Sequence, residues 1–292
     1  MTGGIAGGVR LLVTDLDNTL YDWVGSFVPA FYAMAEEAAE ILDVDLETLL
    51  DELRAVHQRH GSSEHPFSLL ETESVRARHR GMPPSEVRAI LDAAFHRFNS
   101  VRKRTLTLYD GVLETLQAVV DAGAPVVAYT DARIPNSLYR VNRLGLDRFV
   151  EHLYAPAARF PSELAGEAQN EQLLRVLPEG DKKPNPRTLL DICRDLGVAP
   201  SDTVYVGDSL SRDIYMAQSA GVRSAWARYG TEVDPVLWQK LVRVTHWTEH
   251  DIENEARLKA ESAGTRPDVV LDNFGDLLRS FDFVPQLLSS SA

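Results

Sequence analysis

Cysteine is almost missing from this chain. Cys193 is the single one in 292 residues, so no disulfide can close within the chain, and a reducing setting, the cytoplasm, is expected. Cys193 sits in the run TLLDICRDLG, where the spacing reads as a helix core, so a buried inert thiol is expected there. Positive charge is also short. Against 43 Asp and Glu stand 30 Lys and Arg, a formal net charge of −13. That balance argues against a broad grip on nucleic acid or an anionic membrane, while leaving room for a small anionic substrate at a locally positive site. No apolar run approaches the roughly 20 residues that span a bilayer. The start, MTGGIAGGVR, lacks the apolar core of a signal peptide, and its glycines suggest a loose tail. There is no internal repeat.

What is present is ordinary globular material. The 44% hydrophobic and 25% charged composition supports a sizeable core, and 292 residues suffice for one large domain or two modest ones. Short apolar runs recur: VRLLVT, PVVAYT, TVYVGD, VRSAWA and DVVLD. Between them lie helical patterns, GVLETLQAVVDAG, PNSLYRVNRLG, NPRTLLDICRDLG and SRDIYMAQSAG, several ending in glycine as a helix C-terminus often does. The alternation predicts an α/β fold, a Rossmann-like and mostly parallel sheet with helices on both faces.

One gap breaks the rhythm. About 100 residues separate the first strand from PVVAYT, far more than a connecting loop needs. The stretch has helical spacing throughout, so an α-helical domain is expected at 22–105, inserted into an α/β core of 1–21 and 106–292. Two smaller insertions follow. Residues 155–181 read as polar and irregular with one helix, and residues 231–266 as two helices.

In an open parallel sheet, ligands bind at the carboxyl ends of the strands. The expected strand ends carry Asp15 and Asp17, then Thr130 and Asp131, then Asp208 with Asp213 five residues on, and Lys183 stands just before a helix start. Crowded carboxylates repel one another, and a hard divalent cation such as Mg²⁺ is the natural remedy. A hydroxyl and an ammonium can then hold phosphate oxygens. One carboxylate can attack phosphorus, and a second, two residues on, can protonate the leaving oxygen and later deprotonate water.

DLDNTL, AYTDA, KKPNP and VGDSLSRD, in that order, resemble the four motifs of the haloacid dehalogenase-like superfamily, in the branch with a helical cap after the first strand (the C1 type). The resemblance implies that Asp15 is the nucleophile of an aspartyl-phosphate intermediate. It implies that Asp17 is the general acid/base and offers its backbone carbonyl to the metal. Thr130 would bind phosphate, Lys183 would bind phosphate and steady the nucleophile, and Asp208 would ligate Mg²⁺, with Asp213 a second metal-site acid or an orienting group. An acid at position 17 matches phosphatases and phosphomutases rather than dehalogenases. Asp131 departs from the pattern, since a neutral residue is more usual there; it is expected to bind substrate through its N–H, with its carboxylate pointing away from the phosphate.

A second polar cluster lies in the cap turn VHQRHGSSEHPF, which resembles pyrimidine-nucleotidase-like members. His57, His60 and Ser62 are its candidate substrate-binding residues. A zinc site there is disfavoured by the lack of cysteine and of compact ligand spacing. The expected partner is thus a small phosphorylated metabolite, a nucleoside monophosphate first among them, with no nucleic acid and no membrane. The alternatives are a phosphomutase, a phospho-acceptor signalling or binding protein on a similar fold, and a metal-dependent glycosyltransferase using its DxD pair.

Overall fold

The structure is a computed structural model, and it describes residues 7–157 and 172–286. The glycine-bearing tail at 1–6 lies outside the described residues. The described chain divides into two compact units, one of residues 1–22, 108–232 and 258–292, the other of residues 23–107 and 233–257.

The first unit is built on a seven-stranded sheet. Its strands are β1 (Leu11–Thr14), β2 (Val126–Tyr129), β3 (Val150–Pro156), β4 (Leu174–Leu177), β5 (Thr203–Gly207), β6 (Arg223–Ala227) and β7 (Val269–Leu271). They lie in the order β4-β3-β2-β1-β5-β6-β7, and every pairing is parallel. β1, β2 and β5 are buried at every position. Strands covered on both faces must be apolar throughout, which is why they read as continuous runs in the sequence. From β1 the chain first builds outward through β2, β3 and β4, then crosses to the other side of β1 with β5. The crevice for a ligand therefore opens at the carboxyl ends of β1 and its neighbours.

β4 corrects the expectation of an irregular insertion at 155–181, and β3, which lies mostly before it, is a strand the sequence patterns did not mark. β3 begins Val150-Glu151-His152, with Glu151 exposed and His152 partly so, and buries Val150 and then Leu153, Tyr154 and Ala155. β4 is the sheet edge, four residues long with Leu177 its only buried one, so it carries little apolar signal. The helix expected in that insertion falls largely on residues outside the described ones.

The second unit is helical. Trp23–Leu42, Leu46–His60, Glu73–Arg78, Pro84–Ile90 and Asp92–Thr105 are helices. Val24, Phe27, Val28, Phe31, Ala35 and Leu42 of the first pack with Leu49, Leu50 and Leu53 of the second, at the three- and four-residue spacing that puts them on one face. The helix Pro235–Val244 adds Leu241 and Val244 to this same core. Residues 233–257 thus group with the helical unit, where sequence spacing had left them within the α/β core. The apolar stripe of a surface helix shows that it packs, not which partner it packs on. No helix among the described residues is long and apolar enough to cross a membrane.

The cap-turn residues lie in this unit. His57 is fully buried, against the Phe31 ring at 5.3 Å. Its Nδ1 is 2.7 Å from the Val244 carbonyl oxygen. A carbonyl can only accept, so Nδ1 carries the hydrogen, and buried Nε2 has no hydrogen-bond partner. His57 therefore packs the helical core and has no face left for a substrate, contrary to its expected binding role. Ser62 accepts a hydrogen bond from the Glu64 N–H. His60 and His65 stack with rings parallel to 7° at 3.7 Å, each turning Nε2 to an oxygen of Glu71 at 2.9 Å. The ligand atoms of His60, His65 and Glu71 thus lie within 4.8 Å of one another, a compact grouping that sequence spacing did not suggest.

Burial lowers the His57 pKa to about 4, against the smaller opposite pull of the Val244 carbonyl. The folded protein thus refuses a proton that the unfolded chain accepts below about pH 6.5. Stability from this residue is whole above that pH and is lost as pH falls toward 4, by up to about 3 kcal/mol. Urea melts at a series of pH values should show that slope, and His57→Phe should flatten it. An unchanged slope in the variant would remove His57 from the account.

Candidate active site

At the end of β1 the backbone turns sharply. The Asp15 N–H donates to the Val206 carbonyl of β5, and the Asn18 N–H to the Tyr21 carbonyl. Asn18 adopts φ 57°, a left-handed conformation that Asn tolerates better than most side chains. The turn sets Asp15 in the sheet crevice, nearly buried, and leaves Asp17 at its rim.

Lys183 reaches the same place from the loop before the helix Pro186–Asp195. That loop is tied down by its own polar groups. Asp181 accepts from Asn185 Nδ2 and from the Thr188 hydroxyl, and Asn185 caps the helix by accepting from the Arg187 and Thr188 N–H groups. Lys183 Nζ donates to Asp15 Oδ1 at 2.6 Å and to Asp213 Oδ1 at 2.8 Å. It also lies 5.5 and 5.7 Å from the ring centres of Tyr129 and Tyr205, whose faces favour a cation. Burial alone would lower the lysine pKa, but the two carboxylates more than offset it and hold Lys183 charged. Asp213 is fully engaged. The Tyr205 hydroxyl donates to Oδ1 and the Ser209 N–H to Oδ2.

Asp17 faces elsewhere. Its Oδ1 accepts from the Tyr21 hydroxyl at 2.6 Å and from Arg140 at 2.9 Å, and the same guanidinium nitrogen is 3.2 Å from Oδ2. At the end of β2, the Thr130 hydroxyl accepts from the Ala132 N–H. Asp131 Oδ1 accepts from the Lys183 backbone N–H, and Oδ2 lies 3.8 Å from Arg212. Burial raises the Asp131 pKa. Its carboxylate is thus held by the lysine loop and by Arg212.

Of the expected residues, Asp15, Asp17, Thr130, Asp131, Lys183, Asp208 and Asp213 all belong to the α/β unit, and His57, His60 and Ser62 to the helical one. The model of the haloacid dehalogenase-like hydrolase family matches residues 9–221. The chain belongs to that family. It is 28% identical over 232 residues to a glyceraldehyde 3-phosphate phosphatase of Methanopyrus kandleri, covering 77% of this chain and 87% of the relative. It is 32% identical over 143 residues to an N-acetylmuramic acid 6-phosphate phosphatase of Pseudomonas aeruginosa, 47% of this chain and 53% of that one. Among solved structures, a 2-haloacid dehalogenase from Pseudomonas syringae pv. Tomato aligns with a TM-score of 0.57 at 22% identity, over 93% of this chain and 97% of that one, which shows the shared fold. The chain is an enzyme of the phosphatase kind within the haloacid dehalogenase-like hydrolases.

The charge balance of this hydrolase site fits a cation. Carboxylate oxygens of Asp15, Asp208 and Asp213 lie within 4.8 Å of one another, and among the described residues Lys183 is the cation hydrogen-bonded to this group, through Asp15 and Asp213. Burial, with the Asp213 charge, pushes Asp208 up to about 7. Burial likewise pushes Asp15 well up, with Asp213 and Asp208 adding to it against the pull of Lys183. The donors are all oxygen, which suits a hard divalent ion. Asp17 is outside this cluster.

Several residues of the hydrolase site escaped the sequence reading. Arg140 sits on the helix Ile134–Arg143, on its buried face with Ser137 and Val141. A charge on an apolar stripe was the signal available. Tyr21 and Tyr205 read as plain core. Trp226 Nε1 donates to the Asp208 carbonyl, and the Tyr229 hydroxyl to the Thr19 carbonyl, pinning the loops that follow β5 and β1. Gly230 lies so close to the Asn18 backbone that a Cβ would come within 1.7 Å of its carbonyl oxygen. Gly230→Ala must therefore shift the Asp15–Thr19 turn. A misplacement of that kind is expected to cost about 100-fold in activity and about 1–3 kcal/mol in stability. Steady-state kinetics and a thermal melt check it, and wild-type kinetics in the variant would refute the close approach.

Proposed function

We propose that this hydrolase is a Mg²⁺-dependent phosphomonoesterase that works through an aspartyl-phosphate on Asp15. The observation that carries the reading is the buried Asp15–Lys183–Asp213 chain beside Asp208 at the carboxyl ends of β1 and β5. Lys183 holds Asp15 Oδ1, leaving Oδ2 to attack phosphorus. As that P–O bond forms, the bond to the ester oxygen breaks and Asp17 gives its proton to the leaving alcohol. Water then attacks the acyl phosphate, Asp17 takes the water proton, and phosphate leaves with the Asp15 carboxylate restored. The Thr130 hydroxyl and Lys183 bind the phosphoryl oxygens. A divalent cation held by Asp15, Asp208 and the Asp17 backbone carbonyl supplies, when bound, positive charge to those oxygens. Asp213 is then the group that orients Lys183.

For the substrate, the relatives' names support small phosphorylated acids and sugars over nucleotides. Glyceraldehyde 3-phosphate, N-acetylmuramic acid 6-phosphate and phosphoglycolate are the compounds those names carry. The nucleoside monophosphate suggested by the cap turn loses support with His57 buried. The lone buried Cys193 suits the cytoplasm.

The test is phosphate release from a panel of monoesters with Mg²⁺: glyceraldehyde 3-phosphate, phosphoglycolate, sugar phosphates, nucleoside monophosphates and an aryl phosphate. Turnover abolished by EDTA and restored by Mg²⁺ is the expected result. Turnover indifferent to EDTA, or none on any ester from folded protein with Mg²⁺, would overturn it.

A further inference from the structure

We infer that Arg140 and Tyr21 are positioning residues that clamp one oxygen of Asp17, so that its other oxygen delivers the proton to the leaving group. The inference rests on the proposed role of Asp17 as general acid.

Arg140 is only 5% exposed. Arginine is seldom buried without paired charge, and here the Asp17 carboxylate supplies it at 2.9 Å. The guanidinium also lies 5.9 Å from the Tyr21 ring centre, so the ring, its hydroxyl, the arginine and Asp17 form one cluster. The contacts are uneven. Oδ1 takes the Tyr21 bond at 2.6 Å and an Arg140 bond at 2.9 Å, while Oδ2 has, among the described residues, the Arg140 contact at 3.2 Å. Two donors on one oxygen fix the plane of the carboxyl. Oδ2, which has only the longer of the Arg140 contacts, is the oxygen we assign to proton delivery. When Asp17 releases that proton to the departing oxygen, the new negative charge forms against a guanidinium already in place. That arrangement stabilises the step without any movement of the protein.

None of this touches phosphorus directly, so the effect should depend on the leaving group. An alkyl alkoxide needs a proton as it leaves. A dinitrophenolate does not. In the full-length enzyme with Mg²⁺, kcat/KM, which reports steps through the first bond cleavage, is compared for an alkyl monoester and 2,4-dinitrophenyl phosphate. Asp17→Asn should lose at least 100-fold more on the alkyl ester than on the aryl one. Arg140→Met and Tyr21→Phe should show the same bias, at least tenfold for Arg140 and about threefold for Tyr21. Adding Arg140→Met to Asp17→Asn should leave the bias of Asp17→Asn unchanged. A purely structural ion pair would depress both esters equally, and that outcome with a selective Asp17→Asn overturns the role of Arg140 while Asp17 keeps its own. A non-selective Asp17→Asn overturns the general acid itself, and this inference with it. Should Arg140→Met fail to fold, Tyr21→Phe, which removes one hydroxyl, carries the test alone, and equal losses on both esters count against the clamp.

Discussion

Asp15→Asn is expected to stop phosphate release, by about 10⁴-fold or more, the scale seen when a covalent nucleophile is removed. The amide has no charge to attack phosphorus with. The protein should nonetheless fold. Asp15 is one of three carboxylates sharing a nearly buried corner with one lysine, and burial already disfavours its ionised form. An uncharged isostere there loses one ion pair and relieves repulsion from Asp213 and Asp208, so the thermal midpoint should move little. Brief mixing with radiolabelled phosphomonoester, followed by acid quench, should leave hydroxylamine-sensitive label on the wild-type protein and none on the variant. More than a tenth of the wild-type rate in Asp15→Asn would end the covalent reading.

Lys183→Met is expected to fail in both stability and activity. Its ammonium bridges Asp15 and Asp213, with all three side chains less than 10% exposed. Removing one member of a buried ion pair leaves the other charge without compensation, at a cost of about 3–5 kcal/mol. Activity should drop about 10³-fold or more, because the phosphoryl oxygens lose a fixed charge in a dry site. The two effects separate in the double variant Lys183→Met/Asp213→Asn. Discarding one orphaned carboxylate should recover part of the lost stability in urea melts, while turnover stays absent. Recovery of turnover with stability would mean that Lys183 serves the fold alone.

Much of this chemistry was legible before any coordinates. Residue type and strand-end spacing marked Asp15, Thr130, Lys183, Asp208 and Asp213, because a doubly covered parallel strand has to be an unbroken apolar run and a ligand site can begin only where the run stops. The same logic failed at the sheet margin. β4 buries one residue of four, and the apolar run of β3 is broken by Glu151 and His152, so neither read as a strand. It failed again for residues 233–257, whose apolar stripe carries no record of which core it meets. His57 looked like a polar turn residue until the Val244 carbonyl and the Phe31 ring enclosed it.

Arg140 marks the boundary most sharply. It lies 123 residues from Asp17 in the chain, and no local pattern joins them. The α/β architecture followed from local periodicity alone, and side-chain chemistry at the strand ends named the candidate reactive groups. Only the tertiary structure decided which oxygen of each carboxylate is held and by what donor. A hydrogen bond is set by angstroms between elements distant in the chain, and periodicity along one element does not contain that distance.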